Sequence, residues 1–513
     1  MPQAVAYAQI AGLPPSAGLV AAPGALIAYA LLGTSRSLVV SATTATAALS
    51  AAAVAPLADG NAARFAALSA GLAVVTAAVF AGSGLLRLGG VMDLVSKPVM
   101  TGFLFGLGLT IAVGQLPKIF GVPAGTGGFF EKLGDLLSEL GGAQGWTTVI
   151  GLGSVVLLVG LRRLAPAVPG TLVVLVLSIA VSALFDLSSH GVDVVGNLPS
   201  AFPSPAWPDI SWSDAADLLP VAFGVMIVGS AEALGVARSI SSSQGYVVDT
   251  NRELVALGGS NLLAGLSPGF VQSGGASQTM AAKGAGGTTQ LASLVAAGLT
   301  LLTGAFLAPL FEDLPQATLA AIVVVAVAGF FRIDEIARFG RLRRSAVLVS
   351  LVALVGVLLF GVLPGLLIAA GLSLAVVIKR LSRPSVGILG RDPETGAWVR
   401  IDRHTDVQTK PGVIVCRVDG PLFYANAAQV KERLTTLAAA DPDLRVVVLD
   451  LSGSPDLDVE SLDMLTELEH ELSNRGAELR LASPRAPVLR MLGRAGLAGH
   501  VAPTLDAAAT PPG

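Results

Sequence analysis

Over its first 389 residues the chain carries only 36 charged side chains, 19 Lys or Arg and 17 Asp or Glu, about 9% of that stretch. Soluble domains carry about 25%. A polypeptide this apolar cannot cover itself with polar surface, so it must face lipid, and within lipid every backbone polar group has to be satisfied internally. Residues 390–513 differ: 13 Lys or Arg and 18 Asp or Glu make 31 of 124, about a quarter. The change falls at Leu381-Ser382-Arg383-Pro384, just after an apolar run. The expectation is a membrane domain over 1–383 followed by a soluble domain over 390–508.

Composition narrows the reading further. The 60 glycines show no three-residue period and sit inside apolar stretches, which suits close helix packing in a membrane. A net charge of −3 leaves no basic footprint for nucleic acid. The lone Cys416 excludes a disulfide framework, and His190, His404, His470 and His500 are too scattered for a dense metal site. No GxxxxGK[ST] loop is present, so no ATP hydrolysis is expected. Met1-Pro2-Gln3 lacks the basic start of a signal peptide.

Apolar runs of spanning length fall near 17–32, 66–84, 97–115, 145–161, 168–187, 215–237, 253–267, 289–310, 315–331, 344–361 and 363–380. Two pieces, 42–55 and 276–286, are too short or polar to span alone, and an apolar stub covers 1–11. The total is close to fourteen segments with an incomplete first one. Basic loops around Arg87 and Lys97, at Arg162-Arg163, across Arg332–Arg344 and at Lys379–Arg383 alternate with uncharged or acidic ones, such as 186–214 with Asp186, Asp193, Asp209 and Asp214. The positive-inside rule places the basic loops and the C-terminal domain in the cytoplasm, with Arg64, Lys118 and Lys132 as minor exceptions.

The two short pieces carry the chemistry. Gly269–Gly287 holds six glycines in nineteen residues, with Gln272, Ser273, Ser277, Gln278, Thr279 and Lys283. It lies between apolar spans, where irregular backbone is tolerated only if it is buried in protein or lines a water cavity. Gly33-Thr34-Ser35-Arg36 followed by Ser41–Thr46 forms a similar piece in the first half. Broken segments at corresponding places in two halves point to an inverted-repeat transporter. Each half-helix start carries roughly +0.5 charge, so two starts facing each other make an anion site without a basic side chain.

Pro2–Ala8 with Ala11-Gly12-Leu13-Pro14-Pro15, and the run from Pro15 through Gly18-Leu19 and Ala21-Ala22 to Arg36, resemble the SulP family, solute carrier family 26. Ser96-Lys97-Pro98-Val99, Thr101-Gly102-Phe103, Asn261-Leu262-Leu263, Gly275-Ala276-Ser277 and Gly287–Leu291 are similar too, and the tail resembles a STAS domain, the sulfate-transporter and anti-sigma-antagonist module. The resemblance implies a polytopic α-helical membrane protein of fourteen segments. These form two inverted seven-segment repeats, about 1–187 and 215–380, as in nucleobase transporters, with an α/β STAS domain appended. It implies a core of segments 1–4 and 8–11 moving against a gate of 5–7 and 12–14, and a homodimer in the inner (plasma) membrane. The implied anion contacts are Gln3 and Tyr7 in segment 1, Thr43 and Thr44 at segment 3, and Ser277 and Gln278 at segment 10, with Glu232 of segment 8 as coupling site. The function implied is secondary active transport of bicarbonate, sulfate, chloride or a dicarboxylate, by proton- or sodium-coupled symport or by exchange; no enzyme activity, cofactor or metal is implied.

Three departures from the family pattern stand out. Ala17 and Val20 replace tyrosines, Gln278 replaces an arginine common beside the serine, and Met1 begins in the middle of segment 1, so that segment is expected to be truncated. Alternatives remain for individual residues. Glu232 either couples an ion or reaches the interface and pairs with Arg238. Gln3 and Gln278 either bind substrate or bond between helices, and Tyr7 either binds or packs. Arg36 is expected at headgroups and Lys283 at the cytoplasmic mouth. A passive anion channel and a membrane-anchored STAS signalling protein are the competing functions.

In the tail, Val413–Val418, Arg445–Leu451 and Glu478–Leu481 read as strands, and Gln429–Ala439 and Ser461–Leu472 as helices. Glu460, beside Ser461, stands where anti-sigma antagonists carry a phosphorylated serine, and an unmodified helix start is the expectation. A fragment from about Arg391 to Pro503 is expected to fold alone.

Overall fold

The computed structural model describes residues 2–90, 96–165, 168–196, 204–404 and 406–510. Met1 and residues 197–203 of the acidic loop lie outside the described residues. The chain clusters into two compact units, Met1–Ser373 and Leu374–Gly513.

The first half of the membrane unit contains α1 (Pro2–Ile10), α2 (Pro15–Leu32), β1 (Val40–Ser41), α3 (Thr44–Ala58), α4 (Ala62–Leu85), α5 (Lys97–Phe120), α6 (Phe129–Glu139), α7 (Gly145–Leu164) and α8 (Gly170–Phe185). The second half repeats the order: α9 (Trp212–Gln244), α10 (Thr250–Leu266), β2 (Ser273–Gly274), α11 (Ala276–Gly284), α12 (Leu291–Leu302), α13 (Gln316–Val327), α14 (Ile333–Leu342), α15 (Arg344–Phe360) and α16 (Val362–Leu381). Setting aside α6 and α14, each half has seven segments, and each of these two extra helices falls between the fifth and sixth of its half. Both are strongly amphipathic, so neither registered as an apolar run in the sequence. Among the described residues, seven helices are long and apolar enough to cross a bilayer on length and composition.

Local signals set the boundaries. Thr43 caps α3 by accepting the Thr46 amide, Asn61 caps α4 through Arg64, and Asp249 caps α10 through Asn251 and Arg252. Ser211 and Asp214 form a reciprocal cap on α9, which ends at Gly245 in the left-handed region (φ 71°). The densest packing falls within two groups. One joins α1–α4 to α9–α12, led by α10 against α4 and α2; the other joins α5 and α7 to α13, and α5 to α15. Ion pairs tie helix starts that are distant in sequence: Arg64 of α4 to Asp214 of α9 at 2.7 Å, and Lys97 of α5 to Glu335 of α14 at 2.9 Å. Arg64, an exception to the charge rule, is thus paired with an acid at the start of α9.

Close approach demands glycine at one motif position. A Cβ on Gly102 of α5 would lie 1.9 Å from the Ser350 carbonyl oxygen of α15. Small residues are what allow such backbone contact between membrane helices. Gly102→Val is expected to cut the yield of folded, detergent-extractable protein severely, as read by fluorescence-detected size exclusion.

The second unit is an α/β domain: β3 (Val386–Arg391), β4 (Trp398–Arg400), β5 (Val413–Val418), α17 (Tyr424–Ala439), β6 (Val446–Asp450), α18 (Val459–Ser473), β7 (Glu478–Ala482), α19 (Ala486–Arg494), β8 (Val501–Ala502) and α20 (Leu505–Ala508). The sheet order is β4-β3-β5-β6-β7-β8, parallel from β5 to β8 and antiparallel at β3 and β4. One face is sealed by Val430, Leu434, Leu465 and Leu468 of the helices, and burial there pushes the Cys416 thiol up to about 12, leaving it inert. The other face buries Val415 and Val448 against Ala508 and Ala509. At the start of α18, Asp458 accepts the Ser461 amide (3.0 Å) and the Tyr424 amide (2.6 Å). Burial would raise the Asp458 carboxyl, but these hydrogen bonds outweigh it and hold it below its usual range. Ser461 is buried and bonded to Asp458, whereas Glu460 is exposed.

The sheet changes where an autonomous fragment should begin. A start at Arg391 deletes most of β3, which pairs with both β4 and β5, and an end at Pro503 strips the cover supplied by Ala508 and Ala509. A fragment of residues 384–510 is expected to be monodisperse with mixed helix and strand by circular dichroism, while 391–503 aggregates.

Candidate functional site

The two broken segments meet. β1 and β2 pair antiparallel, Val40 opposite Gly274 and Ser41 opposite Ser273, and each strand runs directly into a short helix, α3 or α11. The positive ends of two half helices therefore converge on one place. The crossing is fixed from several directions. The Gly275 amide bonds to the Val39 carbonyl (3.0 Å), and the Val39 amide to Thr279 Oγ1 (3.0 Å). Asn261 of α10 uses its carboxamide as a strand would, donating to the Gln272 carbonyl and accepting the Gln272 amide.

The residues expected from the sequence gather around this crossing. Gln3 Nε2 of α1 lies 3.5 Å from Ser277 Oγ. The Tyr7 hydroxyl, buried, faces Thr44 and Ser277. Thr43 Oγ1 donates to Glu232 Oε2 of α9 at 3.0 Å, so the coupling candidate touches the α3 cap. Arg238, the alternative partner considered for Glu232, donates to Thr250 Oγ1 at 3.1 Å. Gln278 bonds between segments, one of the two roles left open for it, and also lines the cavity beside the crossing. Its Nε2 donates to the Ala42 carbonyl (3.1 Å) and its Oε1 accepts from Ser277 Oγ (3.2 Å), so its amide braces the two half-helix starts. A Cβ on Gly275 would lie 1.7 Å from Gln278 Oε1, so a larger residue there would displace that amide. Beside the crossing opens a cavity of about 250 Å³ lined by Gln3, Ser41, Gln278, Thr300 and a run of alanines. Gly275 provides no side-chain cap to α11, so its own N-cap residue does not take up the first amides of that helix.

Arg36 is exposed and sits over the Tyr246 ring, 5.1 Å from its centroid. Besides Glu232, a second carboxylate is enclosed: Glu253, which opens the span read over 253–267, is fully buried at 0% exposure. Lys283 is exposed in the last turn of α11.

A two-repeat membrane unit with crossed broken segments, joined to an α/β domain, has the architecture of a membrane transporter with an appended α/β domain. The sulfate permease family model matches residues 1–353, and the STAS domain model matches residues 404–508. The chain therefore belongs to the sulfate permease family, the SulP or solute carrier 26 group, and as a member it is an anion transporter rather than an enzyme. It is 34% identical over 498 residues to a protein named probable sulfate transporter of Mycobacterium tuberculosis, covering 97% of this chain and 89% of that one. It is 28% identical over 519 residues to the chloroplastic sulfate transporter 4.1 of Arabidopsis thaliana, covering 97% and 75%. The murine solute carrier 26 family member A9 anion transporter, in its inward-facing state, superposes with a TM-score of 0.92 at 25% identity, covering 99% of this chain and 88% of that one. The transmembrane domain of the cyanobacterial bicarbonate transporter BicA shares the fold (TM-score 0.63, 24% identity, 72% and 93% covered).

Proposed function

We propose that this chain is a secondary active transporter that binds a small anion between the starts of α3 and α11 and carries it by movement of the group α1–α4 and α9–α12 against the remaining segments. The observation that carries this reading is the β1–β2 crossing, which aims two helix N-termini at one point under Tyr7 and Gln3. Thr43, Thr44 and Ser277 supply hydroxyls, and Gln278 holds the two starts together. Glu232 is the coupling residue, taking a proton or sodium; the proton is favoured because, among the described residues, no acidic cluster surrounds it. The protein works as a homodimer in the plasma membrane with its basic loops and STAS domain in the cytoplasm.

Sulfate is the first substrate to test, since the relatives are named for it; bicarbonate, chloride and a dicarboxylate complete the set. Purified protein in liposomes, offered each labelled anion with and without pH and sodium gradients, tests the proposal. Saturable uptake stimulated by internal unlabelled anion is the expected result. Non-saturable flux that follows voltage alone would make the protein a channel.

A further inference from the structure

We propose that Glu253 is a positioning residue of the anion site, acting from α10 of the second repeat on the loop that feeds the half helix of the first. The proposal rests on the reading that the crossing of β1 and β2 is the binding site.

Glu253 lies in the first turn of α10 and is fully buried. A buried carboxylate is costly unless its oxygens are satisfied. Here they are, and every donor comes from the opposite repeat. Glu253 Oε1 accepts the Thr34 amide (2.6 Å), the Thr34 hydroxyl (2.5 Å) and the Ser35 amide (2.9 Å). Glu253 Oε2 accepts the Tyr29 hydroxyl of α2 (2.5 Å). Gly33 lets the chain fold this tightly, because a Cβ there would strike the Tyr29 ring at 2.6 Å.

From Ser35 the hold is transmitted to the site without a slack link. Gln290 Nε2, at the cap of α12, donates to the carbonyls of Ser35 (2.8 Å) and Leu38 (2.9 Å). Val39 is bonded on both sides, to Thr279 and Gly275 of the α11 start. Val40 and Ser41 then pair with β2, and Thr43 caps α3. The position of Thr43 and Thr44 relative to Ser277 is thus set by a chain of hydrogen bonds that begins at a charged acceptor, the stronger kind. The length of the Glu253 side chain determines how far the loop is drawn toward α10.

Length and charge can be separated. Glu253→Asp keeps the charge and shortens the reach. Glu253→Gln keeps the reach, with its carbonyl oxygen still able to accept from Thr34 and Ser35 and its amide facing Tyr29. The test is the concentration dependence of uptake into proteoliposomes, for each of sulfate, bicarbonate, chloride and succinate that the parent carries, on protein shown to be folded by size exclusion. KM is expected to rise about tenfold or more in Glu253→Asp, since small misplacement of binding groups is expensive, and to stay within about threefold in Glu253→Gln. A merely structural role lowers the amount of folded carrier and leaves the KM of the remainder unchanged. Should Glu253→Asp fail to fold, Thr34→Val, which deletes one donor, decides: a raised KM supports the proposal and the parent's KM overturns it. Parent KM in folded Glu253→Asp overturns it, and with Glu253→Gln impaired would make charge the operative property; equal impairment in Asp and Gln also overturns it, because reach alone would then not set the loop. If Ser277→Glu also transports normally, the site reading itself has failed; if only the Glu253 variants are normal, the site stands and the positioning role does not.

Discussion

Ser277→Glu is expected to lower anion uptake by at least about tenfold while expression and oligomeric state are unchanged. Ser277 lies in the first turn of α11, exposed, 3.5 Å from Gln3 and facing Tyr7. A carboxylate there sits on the positive end of the half helix, where it is itself stabilised. It would occupy the charge complement intended for substrate. At about 4 Å and an effective dielectric near 20, two like charges repel by about 4 kcal/mol. Water in the open cleft screens part of that, which is why tenfold, and not the full factor of about a thousand, is the floor. Initial rates of labelled-anion uptake in proteoliposomes, normalised to reconstituted protein, provide the check. Uptake at the parent's rate would move the anion away from the crossing.

Glu232→Gln is expected to abolish the pH dependence of uptake while anion binding persists. The parent's uptake should rise as external pH falls, because an ionised Glu232 beside an entering anion repels it by about 4 kcal/mol on the same reckoning, and a proton removes that cost. Geometry makes the link local: Thr43, which caps α3, donates to Glu232 Oε2 at 3.0 Å. The carboxylate and the anion site thus share a hydroxyl. A glutamine accepts the same hydrogen bond and carries no charge at any pH, so the cap is kept and the titration is lost. The measurement is uptake across a series of external pH values, with internal pH fixed. A Glu232→Gln profile that follows the parent's would make Glu232 structural. A sodium requirement that disappears in the variant would assign the coupling to sodium.

The division of labour along the chain was legible where it rests on polarity. The membrane helices and the strands Val413–Val418 and Glu478–Ala482 follow from apolar periodicity, and the broken segments were visible because glycine, serine and threonine interrupt apolar runs at matching places in the two halves. What stayed hidden depends on pairing across distant sequence. Nothing in Gln278 itself says that its amide would bridge to Ala42 rather than face a ligand. Glu253 stood only as the first residue of the 253–267 run, and the folded loop at Thr34 and Ser35 reveals why a carboxylate is there. A Gly-Thr-Ser turn with donors and no acceptor of its own was the available clue. The amphipathic α6 and α14 and the edge strands β4 and β8 were missed because short elements with few apolar residues carry little periodic signal.

The most direct test of the central claim is to locate a bound anion. Crystals of the full-length protein grown with selenate, and separately with bromide, give anomalous scattering that marks the ion without interpretation of its shape. The account predicts a peak between the starts of α3 and α11, within hydrogen-bond reach of the Ser277 amide and the Thr44 hydroxyl and adjacent to Tyr7. Peaks found only elsewhere, for instance at Lys283 or at the arginines around α14, with none at the crossing, would contradict it.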